Sequence, residues 1–241
     1  PNISEVPVRK DGMDLDILER MVKQDPPVLI YTMPTFHNPT GITTSQSHRE
    51  RLIKICEENK VPILEDAFEE EMKYFGRTIL PLKSMDQSGI VLYLGTFSKI
   101  LFPGMRLGWI AAERECVDKL GALKQAGDIS GNVMNQAALN LFCRSGYYDL
   151  QIKQVHNIYR RRMQTALKAL NRYLAHDSIT YTRPTGGYTI WIEIRNCPVS
   201  EKEVIRSLKQ AGIAVSPGNI HFHAPTMRVC FRISIAHRDE E

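Results

Sequence analysis

The chemistry in this sequence gathers around Lys99. An apolar run, Val91 to Leu94, ends in small and hydroxylic residues, Gly95, Thr96 and Ser98, just before the lysine. Seven residues later comes Arg106, and a second apolar run follows from Leu107 to Ala112. The pattern predicts a buried strand, a polar turn carrying Lys99, and a second buried strand. A lysine between two apolar walls is desolvated, which lowers its pKa and frees a nucleophilic amine. The Thr96 and Ser98 hydroxyls and the Arg106 guanidinium are suited to gripping a phosphate beside it. A nucleophilic lysine with a phosphate grip suggests a phosphorylated aldehyde held as a Schiff base, and pyridoxal phosphate is the cofactor that needs both. Taken alone, the same residues also describe a surface turn with an unrelated arginine.

Three further residues stand where such a site would use them. The apolar strand Val28 to Met33 runs into Pro34-Thr35-Phe36-His37-Asn38-Pro39-Thr40-Gly41. In open α/β sheets ligands bind beyond the carboxyl ends of strands, and Asn38 offers both a donor and an acceptor there. The same four residues, Asn38 to Gly41, also make a good turn before a helix cap. His37 has no visible partner and reads as structural or solvent-facing. Residues 61–68 form a strand that ends in Glu65 and Asp66. An acid at a buried strand end needs a cation. A pyridinium nitrogen would be one, with Asp66 keeping it protonated; capping of the next turn is the alternative. Glu69, Glu70 and Glu71 read as a solvated face rather than a metal cluster. Arg232 lies inside the apolar run Val229 to Ile235, where an unpaired guanidinium is costly. It suits bidentate binding of a substrate carboxylate, with a structural ion pair as the competitor.

Alternating strands and helices must position these groups. Residues 14–24 carry Leu15, Ile17, Leu18, Met21 and Val22 at helical spacing, and Pro26-Pro27 ends the helix. The continuously apolar strand at 28–33 is the kind found in a parallel sheet covered on both faces. A helix over 45–59 turns Leu52, Ile53 and Cys56 inward, and a polar connection spans 72–88. Helices are expected over 114–127 and 133–145, then one long helix from Tyr147 to about Ala175. Its stripe is Leu150, Ile152, Val155, Ile158, Tyr159, Met163 and Leu167, while Arg160-Arg161-Arg162 reads as an exposed face. Strands at 178–183 and 187–194, a helix at 200–212 and strands at 213–217 and 227–235 complete the chain. The expected organisation is α/β: part of a large domain at 1–146, a connecting helix at 147–176, and a small α+β domain at 177–241.

Composition narrows the class. The 241 residues suffice for one large domain or two modest ones. With 43% hydrophobic and 24% charged residues the composition is that of a globular protein, and a dispersed net charge of +4 makes no case for nucleic-acid binding by this chain. Cys56, Cys116, Cys143, Cys197 and Cys230 are scattered with no C-x-x-C, which suggests free thiols in a reducing cytoplasm rather than disulfides or zinc. No signal peptide or membrane-length apolar run is seen. The chain opens on Pro1-Asn2 and ends on Arg238-Asp239-Glu240-Glu241, which resembles the first turn of a helix, so a fragment is expected.

Asn38-Pro39-Thr40-Gly41, an Asp at a strand end, a lysine turn with a following Arg, and a late buried Arg form an ordered constellation. In that order they resemble the fold-type I pyridoxal-phosphate enzymes of aminotransferase class I/II. The resemblance implies that Lys99 forms the Schiff base and shuttles a proton, Asp66 pairs with the pyridinium nitrogen, and Asn38 hydrogen-bonds the phenolic oxygen. It gives the phosphate to Thr96, Ser98 and Arg106, and the α-carboxylate of an amino or oxo acid to Arg232. Gly186-Gly187 resembles the family's entry strand to the small domain. Glu65-Asp66-Ala67-Phe68, Tyr74-Phe75-Gly76-Arg77, Leu80-Pro81-Leu82 and Gly95 to Lys99 look like the effector domain of MocR-type regulators of the GntR family. The 2-aminoadipate-type aminotransferases share much of this wording. Phe68 is a departure, since it takes the place of a tyrosine that hydrogen-bonds the phenolic oxygen. Losing that bond costs about 0.5–1.5 kcal/mol. The family's large domain also starts before Pro1, with a glycine-containing phosphate loop and an aromatic ring on the cofactor. The resemblance implies a homodimer, and DNA contact only through a module that lies outside this chain.

Three functions remain open on these grounds. They are an effector-sensing domain, a stand-alone aminotransferase, and a scaffold that keeps the fold without cofactor.

Overall fold

The computed structural model describes residues 2–128, 130–224 and 226–236, so the helical turn expected at Arg238 to Glu241 lies outside the described residues. A short hairpin, β1 (Val8–Arg9) with β2 (Gly12–Met13), leads into α1 (Leu15–Gln24). The Asp14 carboxylate caps α1 by accepting the Asp16 and Ile17 amides at 3.2 and 3.1 Å, which satisfies two of its free N–H groups. The next elements are β3 (Ile30–Thr32), α2 (Gln46–Asn59), β4 (Ile63–Asp66), the short α3 (Leu82–Met85), β5 (Val91–Thr96) and β6 (Gly108–Ala111).

These strands form one sheet in the order β3-β4-β5-β6. The first three are parallel, and β6 joins antiparallel at the edge. The register partners Ile30, Ile63 and Val91 are buried against Leu15, Leu18 and Val22 of α1 and Leu52, Ile53, Ile55 and Cys56 of α2. Both helices therefore cover the same face. The opposite row starts with Tyr31, which is 50% exposed, and continues to the half-buried Leu64 and Leu92. The expectation of a strand covered on both faces fails for this reason, and Val28 is 93% exposed. The second expected buried strand is corrected too. As an edge strand, β6 leaves Trp109 and Ile110 exposed.

Helices α4 (Arg114–Gly127), α5 (Val133–Arg144) and α6 (Tyr147–Tyr173) follow at the positions their periodicity predicts. Of the α6 stripe, Val155 and Met163 are buried and Ile152, Tyr159 and Leu167 are partly buried, but Leu150 and Ile158 are exposed. The second sheet consists of β7 (Ile179–Tyr181), β8 (Thr189–Ile194), β9 (Ser216–Pro217) and β10 (Val229–Ser234), in the antiparallel order β7-β8-β10-β9. Helix α7 (Glu201–Gln210) sits between β8 and β9 in sequence, with a reciprocal capping box between Ser200 and Glu203. One apolar cluster joins the two sheets. It takes Met72, Tyr74 and Ile100 from the first region, Val155 and Met163 from α6, and Tyr188, Ile190 and Ile235 from the second.

Candidate functional site

Asn38, Asp66 and Phe68, and Thr96, Ser98 and Lys99 stand at or just beyond the carboxyl ends of β3, β4 and β5. Arg232 of β10 reaches Asn38, and Arg106 lies apart, just before β6. After β3 the chain makes a loop, residues 34–44, cross-braced by its own backbone. His37 N–H donates to Ile42 O at 2.8 Å, Gly41 N–H to His37 O at 2.6 Å, and Thr44 N–H to Pro34 O at 2.8 Å. Phe36 within it is fully buried with φ 51°, a conformation that a bulky residue keeps only when its surroundings enforce it. Asn38 Oδ1 accepts from Arg232 Nη1 at 2.6 Å, across 194 residues of sequence. Arg232 Nε is buried and has no hydrogen-bond partner. No ion pair holds Arg232 among the described residues, so the competing structural ion pair is not found. His37 is half-buried against Thr40 Oγ1 at 2.8 Å. Burial, and to a lesser degree His221, push its pKa down to about 4.

Asp66 ends β4, and its Oδ2 accepts from the Tyr31 hydroxyl at 2.7 Å. Two residues on, the Phe68 ring lies 5.9 Å from Lys99 Nζ. Lys99 is exposed, which corrects the expectation of a lysine desolvated between two walls: β6, the second wall, is itself exposed. The backbone of the lysine turn is nevertheless well held. Tyr188 O–H donates to the Lys99 carbonyl at 3.0 Å, Gln151 Nε2 to that of Ile100 at 3.3 Å, and Phe97 packs edge-on against Tyr148. Ser98 N–H donates to Thr96 Oγ1 at 3.2 Å, so the two expected phosphate hydroxyls share one turn. Arg106 is exposed, caps a short 3-10 turn with φ 53°, and spends one long 3.4 Å bond on Pro103 O.

The three acids after Phe68 are not a uniform solvated face. Glu71 is exposed and Glu70 half-buried, but Glu69 is only 5% exposed. Its Oε2 accepts the Tyr188 amide at 3.0 Å. Burial raises its pKa to about 7, against the opposing pull of that amide, Lys99 and Arg232. Nothing in the local sequence signals this, because the burying group arrives from the second sheet. Gly186 and Gly187 make the approach possible. A Cβ on Gly187, whose φ is +68°, would meet Glu69 Oε2 at 2.6 Å, and one on Gly186 would meet Met72 O at 2.2 Å. No group of three or more metal-ligating side chains occurs among the described residues.

Arg49 is the second group missed, and here a signal existed. Positions 49, 52, 53 and 56 share one helical face, so a charged residue stands in the apolar stripe of α2. The side chain is fully buried.

The comparisons place this arrangement. The family model for aminotransferase class I and II matches residues 2–241, and the chain belongs to that family. Aromatic-amino-acid aminotransferase 1 of Thermococcus litoralis is 33% identical over all of this chain and 58% of its own length. An uncharacterized HTH-type transcriptional regulator of Bacillus subtilis, YisV, is 33% identical over 90% of this chain and 44% of its own. The solved structure of LysN, the α-aminoadipate aminotransferase of Thermus thermophilus complexed with N-(5'-phosphopyridoxyl)-L-leucine, superposes with a TM-score of 0.90. It is 31% identical over 98% of this chain and 60% of that one. The chain thus spans between 44% and 60% of the length of these relatives. Family membership implies dependence on pyridoxal phosphate, and the donor set fits it: a primary amine, an acid at a strand end, two hydroxyls in one turn, a sparsely bonded guanidinium, and an orphaned Arg232 Nε for an anion. No helix among the described residues is long and apolar enough to cross a membrane.

Proposed function

We propose that the chain is the effector-sensing part of a MocR-type regulator, which takes up pyridoxal phosphate at Lys99 and an amino acid or related amino compound at Arg232. Lys99 would hold the cofactor covalently, Asp66 its ring nitrogen, and Asn38 its phenolic oxygen. Thr96, Ser98 and Arg106 would hold its phosphate. The bound cofactor supplies an electron sink conjugated to the ligand's α-carbon. Arg232, steered by Asn38, would orient the ligand carboxylate, and the Lys99 amine, once freed by the ligand's own amine, would accept and return the α-proton. The observation that carries the sensor reading is Phe68, whose ring faces Lys99 at 5.9 Å without a hydroxyl to offer. A homodimer completes the site, DNA is reached only through a module outside this chain, and the setting is cytoplasmic. The second reading, a transaminase acting on an amino acid and a 2-oxo acid, is favoured by the 33% identity to an aminotransferase across the whole chain.

A visible absorption spectrum with added pyridoxal phosphate tests both. A yellow band that Lys99→Ala lacks is expected, and a borohydride-stable adduct on any other lysine would sink the assignment. An amino-acid panel that shifts the band without releasing 2-oxo acid supports the sensor. Stoichiometric release of 2-oxo acid replaces it with the transaminase.

A further inference from the structure

Arg49 is a fully buried cation whose hydrogen-bond acceptors among the described residues are all neutral. Four of its N–H vectors are satisfied at once. Nε donates to Thr44 Oγ1 at 3.0 Å, Nη1 to Leu80 O at 2.8 Å, and Nη2 to both Pro34 O at 2.9 Å and Thr35 Oγ1 at 2.8 Å. Burial lowers its pKa, and Glu65, Glu70 and Asp11 oppose this only through longer-range attraction. A buried charge without a carboxylate is expensive, and its retention points to something its geometry does that an apolar side chain cannot.

The acceptors say what that is. Pro34 and Thr35 open the 34–44 loop and Thr44 closes it, so a single planar fork grips both ends of the neck. Thr44 adds its own bonds to Pro34 O through its amide and hydroxyl. Asn38 rides on the loop and holds Arg232 at 2.6 Å. Leu80 O ties the connection before α3 to the same fork. We propose that Arg49 is a positioning residue: by clamping the neck of the 34–44 loop it fixes Asn38 and, through Asn38, the direction in which Arg232 presents its guanidinium to a ligand carboxylate. The ligand-binding half of this rests on the function proposed above; the clamping half does not.

The clamp is tested first by hydrogen exchange on the chain without cofactor. Arg49→Lys keeps the charge and loses the fork. The His37, Gly41 and Thr44 amides should exchange about tenfold faster or more, as expected for losing charge-assisted bonds, with β10 and α6 unchanged. Thr35→Ala removes one acceptor only and should act in the same direction, which keeps the test open if Arg49→Lys does not fold. Unchanged exchange in the loop would overturn the clamp. Equal acceleration everywhere would reduce Arg49 to a general stabiliser and overturn it also. In the cofactor-loaded protein, 3-phenylpropanoate, a carboxylate with no amino group to react, should bind about tenfold more weakly to Arg49→Ala. Millimolar guanidinium, but not sodium at equal ionic strength, should restore that affinity. Failure of rescue, or wild-type affinity in the variant, would overturn the positioning role. A wild-type chain that takes up no cofactor would sink the functional reading instead, and the exchange experiment would still decide the clamp.

Discussion

Glu69→Gln should remove a pH dependence of stability that wild type shows. The Glu69 carboxyl is buried beneath the Tyr188 amide, and its pKa rises from an ordinary 4.5 to about 7. Such a group binds its proton more tightly folded than unfolded. Its contribution is fully present below the unfolded value and is lost as pH rises through about 7. At 1.36 kcal/mol per pKa unit, the shift amounts to about 3 kcal/mol between the two limits. Glutamine does not titrate, resembles the protonated acid in shape, and keeps an oxygen for the Tyr188 amide. The variant and wild type should therefore match near the acid limit, and the variant should be more stable by up to about 3 kcal/mol above pH 8.

Urea unfolding across that range measures the difference directly. With a slope of about 3 kcal/mol per molar for a chain of this size, the gap in midpoints should open from near zero to about 1 M. A gap that stays constant with pH would refute the reasoning. So would a variant weaker than wild type at high pH, because it would mean that Lys99 and Arg232 keep the carboxylate ionised throughout. Both cations pull in that direction, and the prediction is that burial together with Asp66 outweighs them.

Arg232→Ala should weaken carboxylate ligands by about tenfold to a hundredfold, the worth of one or two charge-assisted bonds, while leaving cofactor uptake nearly intact. Loss of cofactor uptake in that variant would make Arg232 structural. Gly187→Ala should cost about 2–4 kcal/mol, combining a left-handed backbone with a new methyl pressed on a packed neighbour. The added Cβ would lie 2.6 Å from Glu69 Oε2 and 2.8 Å from Phe36 Cβ. An unchanged urea midpoint would show that the turn relaxes freely.

What the sequence disclosed follows from the range of each interaction. Helices α2, α4, α5 and α6 were legible because helical periodicity lies within one stretch of chain; in α2 the cap does too, Ser45 accepting the His48 amide three residues away. The strand ends carrying Asp66 and Lys99 were legible for the same reason, since an apolar run that stops at a charge marks its own boundary. What could not be read locally was which surfaces meet. The strand at Val28 to Met33 carries no mark that α1 and α2 share one face of the sheet, nor does Leu107 to Ala112 carry one that it is an edge.

Glu69, Glu70 and Glu71 make the case sharpest. They are three identical side chains in a row, and they have three burial states. Glu69 accepts an amide 119 positions later in sequence, Glu70 a tyrosine hydroxyl from β5, and Glu71 that of Tyr148 on α6 at 2.5 Å. Each environment is set by a different distant element, so no pattern within the triplet can encode it. Arg49 is the opposite case. Its place in the apolar stripe of α2 was readable from spacing alone, and a cation there requires buried acceptors. The loop that supplies three of them starts fifteen residues earlier, at Pro34, on the segment carrying Asn38. Spacing alone could therefore have singled out Arg49, although the partners that satisfy it, Pro34, Thr35 and Thr44, are fixed only by the fold.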